Sequence, residues 1–106
     1  MWIVSGRTIT MTAGDFGVEL PIEVSGTTLA AADSLTFTLK KADTETPVLT
    51  KTFTDIQDNT IALELTEEES ESLTEGFYAY SLDWFQNGVF MCNLVSAALF
   101  MVVGKA

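Results

Sequence analysis

The sequence contains no histidine, a single cysteine and only two prolines among 106 residues. Without histidine, the chain cannot build the usual nucleophilic triad or a histidine-based metal site. The one cysteine, Cys92, excludes an internal disulfide bond. Its apolar neighbours Phe90, Met91 and Leu94 predict a buried, inert thiol. We therefore expect a protein that is not an enzyme and that binds no cofactor and no metal.

Basic residues are scarce, whereas acidic residues are abundant. Five Lys and Arg stand against fifteen Asp and Glu, so the formal net charge is −10. Binding to nucleic-acid phosphates or to anionic lipid needs clustered Lys and Arg, and a surface of this sign is repelled. We therefore expect no nucleic acid and no membrane among the partners.

Long apolar runs are missing as well. The longest apolar segment, Val89 to Val103, falls short of the ~20 residues that a membrane helix needs. Its β-branched and aromatic residues favour two strands, Val89 to Leu94 and Ala98 to Val103. The N-terminal Met1 to Arg7 has no basic region followed by an apolar run, so it does not read as a signal peptide. We expect no membrane span and synthesis in the cytoplasm.

The residues that are present suffice for one core. With 47 % apolar residues, the chain has the size and composition of a single domain, which we assign to residues 1–106. Strand-like alternation recurs at short intervals with turn signals between, a pattern typical of all-β sandwiches. Pro21 predicts a sheet edge or bulge, and Asn87-Gly88 predicts a two-residue hairpin. The predicted strands lie near 8–12, 16–24, 35–40, 48–53, 61–65, 78–84, 89–94 and 98–103.

One segment, Thr66 to Tyr80, predicts how the chain passes from one sheet to the other. Thr66 and Glu69 form a capping box at the start of a short helix near 67–73. Gly76 is placed to end that helix in a left-handed conformation. Tyr78 and Tyr80 then share the core-facing side of a strand, and we expect the Tyr78 hydroxyl to bond back to the backbone of the corner. The fold predicted from the pattern is a two-sheet antiparallel β-sandwich of about eight strands with one short helix.

Acidic residues could in principle form a metal site or a catalytic pair, but their spacing disfavours both. The glutamates from Glu67 to Glu75 lack the spacing of a calcium loop, so a solvated helix face is favoured. Asp55, Asp58 and Asn59 read as turn formers. The dispersed carboxylates of Asp15, Asp55, Asp58 and Asp83 form no recognisable catalytic pair.

The last predicted strand is apolar on both faces, although one layer of a sandwich buries only one of them. We expect the second face to meet a partner chain or, alternatively, to be covered by Trp2-Ile3-Val4. Several aromatic residues are also hard to place inside the core. The candidate interface therefore comprises Phe77, Phe85, Phe90, Phe100 and Val102.

The order of these features resembles a family of small prophage proteins of Gram-positive bacteria. Three passages carry the likeness: Thr8 to Asp15, Asp33 to Lys41, and Ile61 to Ser70 continuing through Leu73, Gly76, Tyr78 and Tyr80. Together they are similar to the immunoglobulin-like N-terminal domain of phage baseplate upper proteins and its free-standing relatives. The resemblance implies an immunoglobulin-like sandwich whose motifs are structural.

The resemblance also implies a function. Members are non-enzymatic virion parts that contact other tail or baseplate proteins, often as homo-oligomers. We accordingly expect this chain in the host bacterial cytoplasm during assembly and then in the virion, in an accessory or assembly role. The alternative is a carbohydrate-binding or adhesion module that uses exposed rings such as Phe77 and Phe85.

Overall fold

A computed structural model of the chain describes residues 2–5, 8–14, 16–17, 19–24, 29–30, 32–41 and 44–104. Within these ranges the chain is mostly β-strand with one short helix. The elements are β1 (Trp2–Ser5), β2 (Thr8–Thr12), β3 (Leu20–Glu23), β4 (Asp33–Lys41), β5 (Pro47–Phe53), β6 (Thr60–Leu63), α1 (Glu67–Ser72), β7 (Gly76–Gln86) and β8 (Val89–Val103).

The strands form two sheets of unequal size. Six of them form a large sheet in the order β1-β2-β8-β7-β4-β5, and β3 pairs with β6 in a small one. Most neighbours are antiparallel, but β2 runs parallel to β8, with Ile9 beside Phe100 and Thr12 beside Val103. The prediction of wholly antiparallel sheets was therefore wrong at this pair. A parallel pair needs a long connection, and here nearly the whole domain lies between the two strands.

The core lies on one face of the large sheet, because side chains alternate between faces along a strand. In β4 the side chains of Leu35, Phe37 and Leu39 are buried, and their neighbours are half-exposed. Four aromatic rings join three strands: Phe37 stacks on Tyr80 with centroids 5.5 Å apart, and Phe100 meets Phe37, Tyr78 and Tyr80 edge-on. The small sheet and its flanks complete the core with Ile61, Leu63, Leu65 and Leu73.

The hairpin between β7 and β8 forms as predicted. Asn87 and Gly88 both have positive φ, 50° and 78°, as a two-residue type I′ turn requires. Gln86 and Val89 pair across the turn. The return segment is one fifteen-residue strand and not two. The pairing of this strand with β7 shifts register at three places. Such irregularities are typical of β-bulges, and the strand continues through the interval between 94 and 98 where we predicted a break.

The second predicted strand, near 16–24, is shorter than expected. Among the described residues of this segment, Leu20–Glu23 forms β3, and the side chain of Phe16 is 50 % exposed. Val18 lies outside the described residues. Gly17 has a φ of 74°, which is not an extended conformation, and its backbone N–H donates a hydrogen bond to the carbonyl of Leu65. Pro21 pairs with Ala62 in the two-stranded sheet, where each strand has an open edge that tolerates a missing N–H.

The corner from β6 to β7 carries the chain from the small sheet to the large one. The Thr66 side chain accepts a hydrogen bond from the Glu69 backbone, and the Glu69 side chain accepts one from the Thr66 backbone, so the predicted capping box is present. The helix ends at Ser72, with Leu73 extended, and the prediction that Gly76 ends it was wrong. Gly76 instead opens β7 at φ 149°, a conformation that residues with a Cβ rarely adopt.

The hydroxyl of Tyr78 closes this corner. It donates to the backbone carbonyl of Thr74 at 2.8 Å, and the ring is 2 % exposed. The bond spans four residues and holds the start of β7 against the end of the helical connection. The predicted bond from Tyr78 back to the backbone is confirmed.

Replacement of Tyr78 by Phe tests this bond. The ring packing stays, the hydrogen bond is lost, and we expect a loss of about 0.5–1.5 kcal/mol in the free energy of unfolding, measured by urea denaturation. Thr74→Ser is the control, since the backbone carbonyl of Thr74 and its side-chain hydroxyl, which lies 3.4 Å from the Tyr78 hydroxyl, both survive that substitution. Equal stability of Tyr78→Phe and wild type would contradict the role given to the hydroxyl.

Candidate functional site

The two faces of the large sheet differ in what covers them. The inner face packs against β3, β6 and the residues around α1, which supply Ile61, Leu63 and Leu73 to the core. The outer face carries the alternate side chains of the same strands, and several of them are large, apolar and exposed. A contiguous exposed apolar surface on a small protein often marks a contact site, so the outer face is the candidate functional surface.

Four outward side chains form what we call the apolar patch: Phe77, Leu99, Met101 and Val103. Phe77 pairs with Met101 across β7 and β8, and Leu99 and Val103 flank Met101 on the same face of β8. Phe77 is 64 %, Leu99 39 % and Val103 40 % exposed. On β2, Thr10 and Thr12 lie beside Met101 and Val103. The patch therefore spans β7 and β8, and two threonines of β2 border it.

The candidate interface was partly misassigned. Phe100 and Val102 are 1 % and 3 % exposed, within the core, so the prediction that they contact a partner was wrong. The sequence pattern shows that both faces of this strand are apolar, but it does not show which one points inward. The choice depends on pairing: Phe100 lies beside Ile9 on one side and Tyr78 on the other, and both of these are buried.

The N-terminal segment does not cover the outer face. β1 pairs edge to edge with β2, with Trp2 beside Met11 and Ser5 beside Thr8. It thus extends the sheet in its own plane, whereas the alternative required it to lie over β8. The side chains of 2–5 lie outside the part of the chain that the structure describes.

Phe85 and Phe90 form a second aromatic group at the far end of the sheet. The two rings pair edge-on across β7 and β8, with centroids 5.7 Å apart and planes at 71°. Phe90 is 55 % exposed and Phe85 is half-buried. Phe85 lies eight residues beyond Phe77 on the same strand, a separation of about 26 Å at ~3.3 Å per residue. The two rings named for sugar stacking therefore do not form one flat platform.

Cys92 lies near this end and is exposed, so the prediction of a buried thiol was wrong. It pairs with Trp84 of β7. In the part of the chain that the structure describes, β2 reaches β8 only at Phe100–Val103. The first half of β8 thus extends beyond the part of the sheet where β2 pairs with β8. Cys92 lies in that half, which explains why its apolar sequence neighbours do not bury it.

The opposite side of the domain is acidic. Ten of the fifteen acidic residues lie on or beside β3, β6 and α1: Glu19, Glu23, Asp55, Asp58, Glu64, Glu67, Glu68, Glu69, Glu71 and Glu75. By contrast, β8 contains no ionisable side chain other than the thiol of Cys92. The net charge is therefore concentrated away from the outer face.

Glu69 is the glutamate with a defined structural task. Its Oε1 accepts a hydrogen bond from the Thr66 backbone at 2.9 Å, and the Lys51 ammonium lies 2.7 Å from the same atom. Burial raises the pKa of the Glu69 carboxyl, but the bonds from Lys51 and Thr66 outweigh it and hold the pKa below its usual range. Lys51 projects inward from the edge strand β5, so this ion pair ties the helix to the large sheet.

A shallow cleft beside α1 is lined by Ala13, Gly14, Ser70, Glu71, Leu73, Thr74 and Glu75. The Ser70 hydroxyl is buried there and has no hydrogen-bond partner among the described residues. Nowhere in the described ranges do three or more Cys, Asp or Glu side chains gather closely enough to hold a metal. Asp55, Asp58 and Asn59 all have positive φ, as their predicted turn requires, and Asp15 lies outside the described residues.

Asp33 has a role that the sequence analysis missed. It is 4 % exposed, and its Oδ2 accepts hydrogen bonds from the Ala30 backbone and from the Trp84 indole, both at 3.0 Å. The Ala30 bond is the main reason that the pKa of Asp33 is lowered, and the side chains of Trp84 and Gln86 act in the same direction against burial. The partner Trp84 is 51 residues away in sequence, so no local pattern could have indicated the pair.

Comparisons of the chain with protein-family models, with curated proteins and with solved structures found no match. Within the described ranges, no helix has the length and apolar character needed to cross a bilayer.

The ion pair between Glu69 and Lys51 predicts a pH dependence. Because the folded-state pKa of Glu69 is lowered, its stabilisation is present above the unfolded pKa and is lost as the pH falls through the folded value. We expect Glu69→Gln to flatten the fall in the free energy of unfolding between neutral and acidic pH, measured by urea denaturation at each pH.

Glu68→Gln is the matched control, since Glu68 is an exposed neighbour on the same helix and its loss changes the net charge equally. If both variants change the pH profile to the same extent, the effect reports net charge and not the Lys51 contact.

Proposed function

We propose that this chain is a non-enzymatic structural protein of a phage or prophage tail or baseplate, built as an immunoglobulin-like sandwich. It acts through protein–protein contacts and self-assembly. The apolar patch is the observation that supports a role in protein contacts. Its largest side chain, Phe77, is 64 % exposed and lies on a sheet face that carries few charges. The phage assignment rests on the ordered motifs of the sequence and on their geometry at the corner.

The strand order supports the immunoglobulin-like assignment. In such folds one sheet contains strands G, F, C and C′, and strands B and E pair in the other. Here β8, β7, β4 and β5 are consecutive neighbours, and β3 pairs with β6. The chain order of these strands is also the order expected of B, C, C′, E, F and G. This correspondence supports the finer fold without any disulfide bond.

The position of Tyr78 agrees with that assignment. A tyrosine corner places a Tyr near the start of strand F, with its hydroxyl bonded to backbone a few residues upstream. Tyr78 is the third residue of β7 and bonds to the carbonyl of Thr74. Two residues later, where antibody domains have a cysteine, Tyr80 is buried against Phe37. Aromatic packing thus occupies the place of the disulfide bond.

The rival function, carbohydrate binding, receives less support from the geometry. A sugar platform needs exposed rings that lie close together and share a plane, whereas Phe85 packs edge-on against Phe90 and lies far along β7 from Phe77. Docking between proteins needs no such platform. A large exposed aromatic residue within an apolar patch is typical of protein interfaces.

Particle composition tests the proposal. In the strain that encodes the chain, prophage induction followed by density-gradient purification should yield particles that contain it at a fixed ratio to the major tail protein. The readout is quantitative mass spectrometry of intact particles and of separated tails.

A strain with the gene deleted is the control for carry-over of host protein. The proposal is overturned if the chain is absent from particles, or if its amount varies from one preparation to the next without regard to the tail protein.

A further inference from the structure

We propose that the outer face of the large sheet, centred on the apolar patch, is a two-fold interface with a second copy of this chain. This inference deepens the proposed function, since it names the contact surface and the partner for the self-assembly proposed above. It is carried by three properties of the described residues: continuity of the patch, distribution of charge, and available area.

Continuity follows from the register. Thr10, Met101 and Phe77 stand side by side on β2, β8 and β7, and Leu99 stands beside Ala79 in the next outward row. Neighbouring strands lie about 4.8 Å apart, and outward side chains recur about every 6.6 Å along a strand. The exposed apolar groups therefore occupy neighbouring positions and form one surface.

The distribution of charge indicates the occupant. Two copies that each carry a net charge of −10 repel one another at most orientations. Among the described side chains that face outward on β2, β4, β5, β7 and β8, only Lys40 and Asp83 are charged. The approach of outer face to outer face keeps the glutamates of α1 and the small-sheet side far apart. A basic partner, in contrast, would be drawn to that acidic side.

The arrangement is also self-complementary. A two-fold axis that runs parallel to the sheet, in the space between the copies and over Met101, sets the patch of one copy against that of the other, as an isologous interface requires. Thr10 and Thr12 of β2 supply a polar rim on one side of the patch. Lys40, which pairs with Ala79 and forms an ion pair with Glu45 of its own chain, borders the other side. Sheets packed in this way lie about 10 Å apart, with their apolar side chains interleaved.

The area is sufficient for a modest dimer. Five strands at about 4.8 Å spacing and five to seven residues at ~3.3 Å give a flat face of roughly 500 Å² per copy, before side-chain relief is added. Standard interfaces bury about 800 Å² per partner, and weak ones less than about 600 Å². We therefore expect a dimer that dissociates on dilution and is strengthened by further contacts in an assembly.

Sedimentation equilibrium over a wide range of protein concentration tests the interface. All samples contain a reducing agent, because Cys92 is exposed and its oxidation would link copies artificially. Wild type should associate as a dimer, and Phe77→Glu should raise the dissociation constant by about 100-fold or more, since it removes two aromatic contacts and brings two like charges together.

Two matched controls make the same substitution at exposed phenylalanines outside the patch. Phe90, at the hairpin end, is 55 % exposed, and Phe16, beside the small sheet, is 50 % exposed. Phe90→Glu and Phe16→Glu should leave the dissociation constant within about threefold of wild type, the range of non-interface changes. Melting temperatures check folding, and Val103→Glu is the second patch variant if Phe77→Glu unfolds.

Added salt gives an independent readout. Screening weakens the mutual repulsion of two acidic copies, so the dimer should become tighter as salt rises, whereas an interface held by ion pairs would become weaker. The inference is overturned if wild type is monomeric at every concentration, or if Phe90→Glu or Phe16→Glu disrupts the dimer while the patch variants do not.

These outcomes are separable from failure of the proposed function. A monomeric chain that is present in particles overturns only the two-fold interface. A dimer with the expected variant pattern that is absent from particles overturns only the phage role.

Discussion

A large sheet in this protein has two faces, and a two-stranded sheet with one short helix is available to cover only one of them. Side chains alternate between faces along a strand, so this imbalance leaves about half of the described side chains of β2, β4, β5, β7 and β8 outside the core. The aromatic cluster of Phe37, Tyr78, Tyr80 and Phe100 determines which half is inside. The exposed patch around Phe77 is the direct consequence on the other half.

The corner between the two sheets keeps that arrangement in place. Its parts act on one another: Thr66 and Glu69 cap the helix, Glu69 also holds Lys51 of the edge strand, and Tyr78 bonds to the backbone that follows the helix. The glutamate-rich segment, whose spacing disfavours a calcium site, thus contributes Glu69 to these structural contacts. The remaining glutamates project to solvent and concentrate the negative charge of the chain on one side.

Separation of charge from apolar surface connects the fold to the proposed role. A protein that assembles with other copies needs solubility before assembly and a neutral surface for contact afterwards. Here the charge lies beside the small sheet, and the neutral surface lies on the large one. The neutral surface arises because β8, the strand that is apolar on both faces, lies in the interior of the large sheet between β2 and β7.

The local elements of this protein are determined by its sequence alone. Alternation of apolar residues indicates the strands, Asn87-Gly88 indicates the hairpin, and Thr66 with Glu69 indicates the capped helix, because each signal involves neighbours within a few residues. Tertiary structure decided the rest. It decided that Phe100 points inward and Met101 outward, that β2 runs parallel to β8, that Cys92 is exposed, and that Asp33 meets Trp84. Each of these features depends on which distant strands pair and on where the pairing stops. When both faces of a strand are equally apolar, the sequence pattern does not indicate which face points inward.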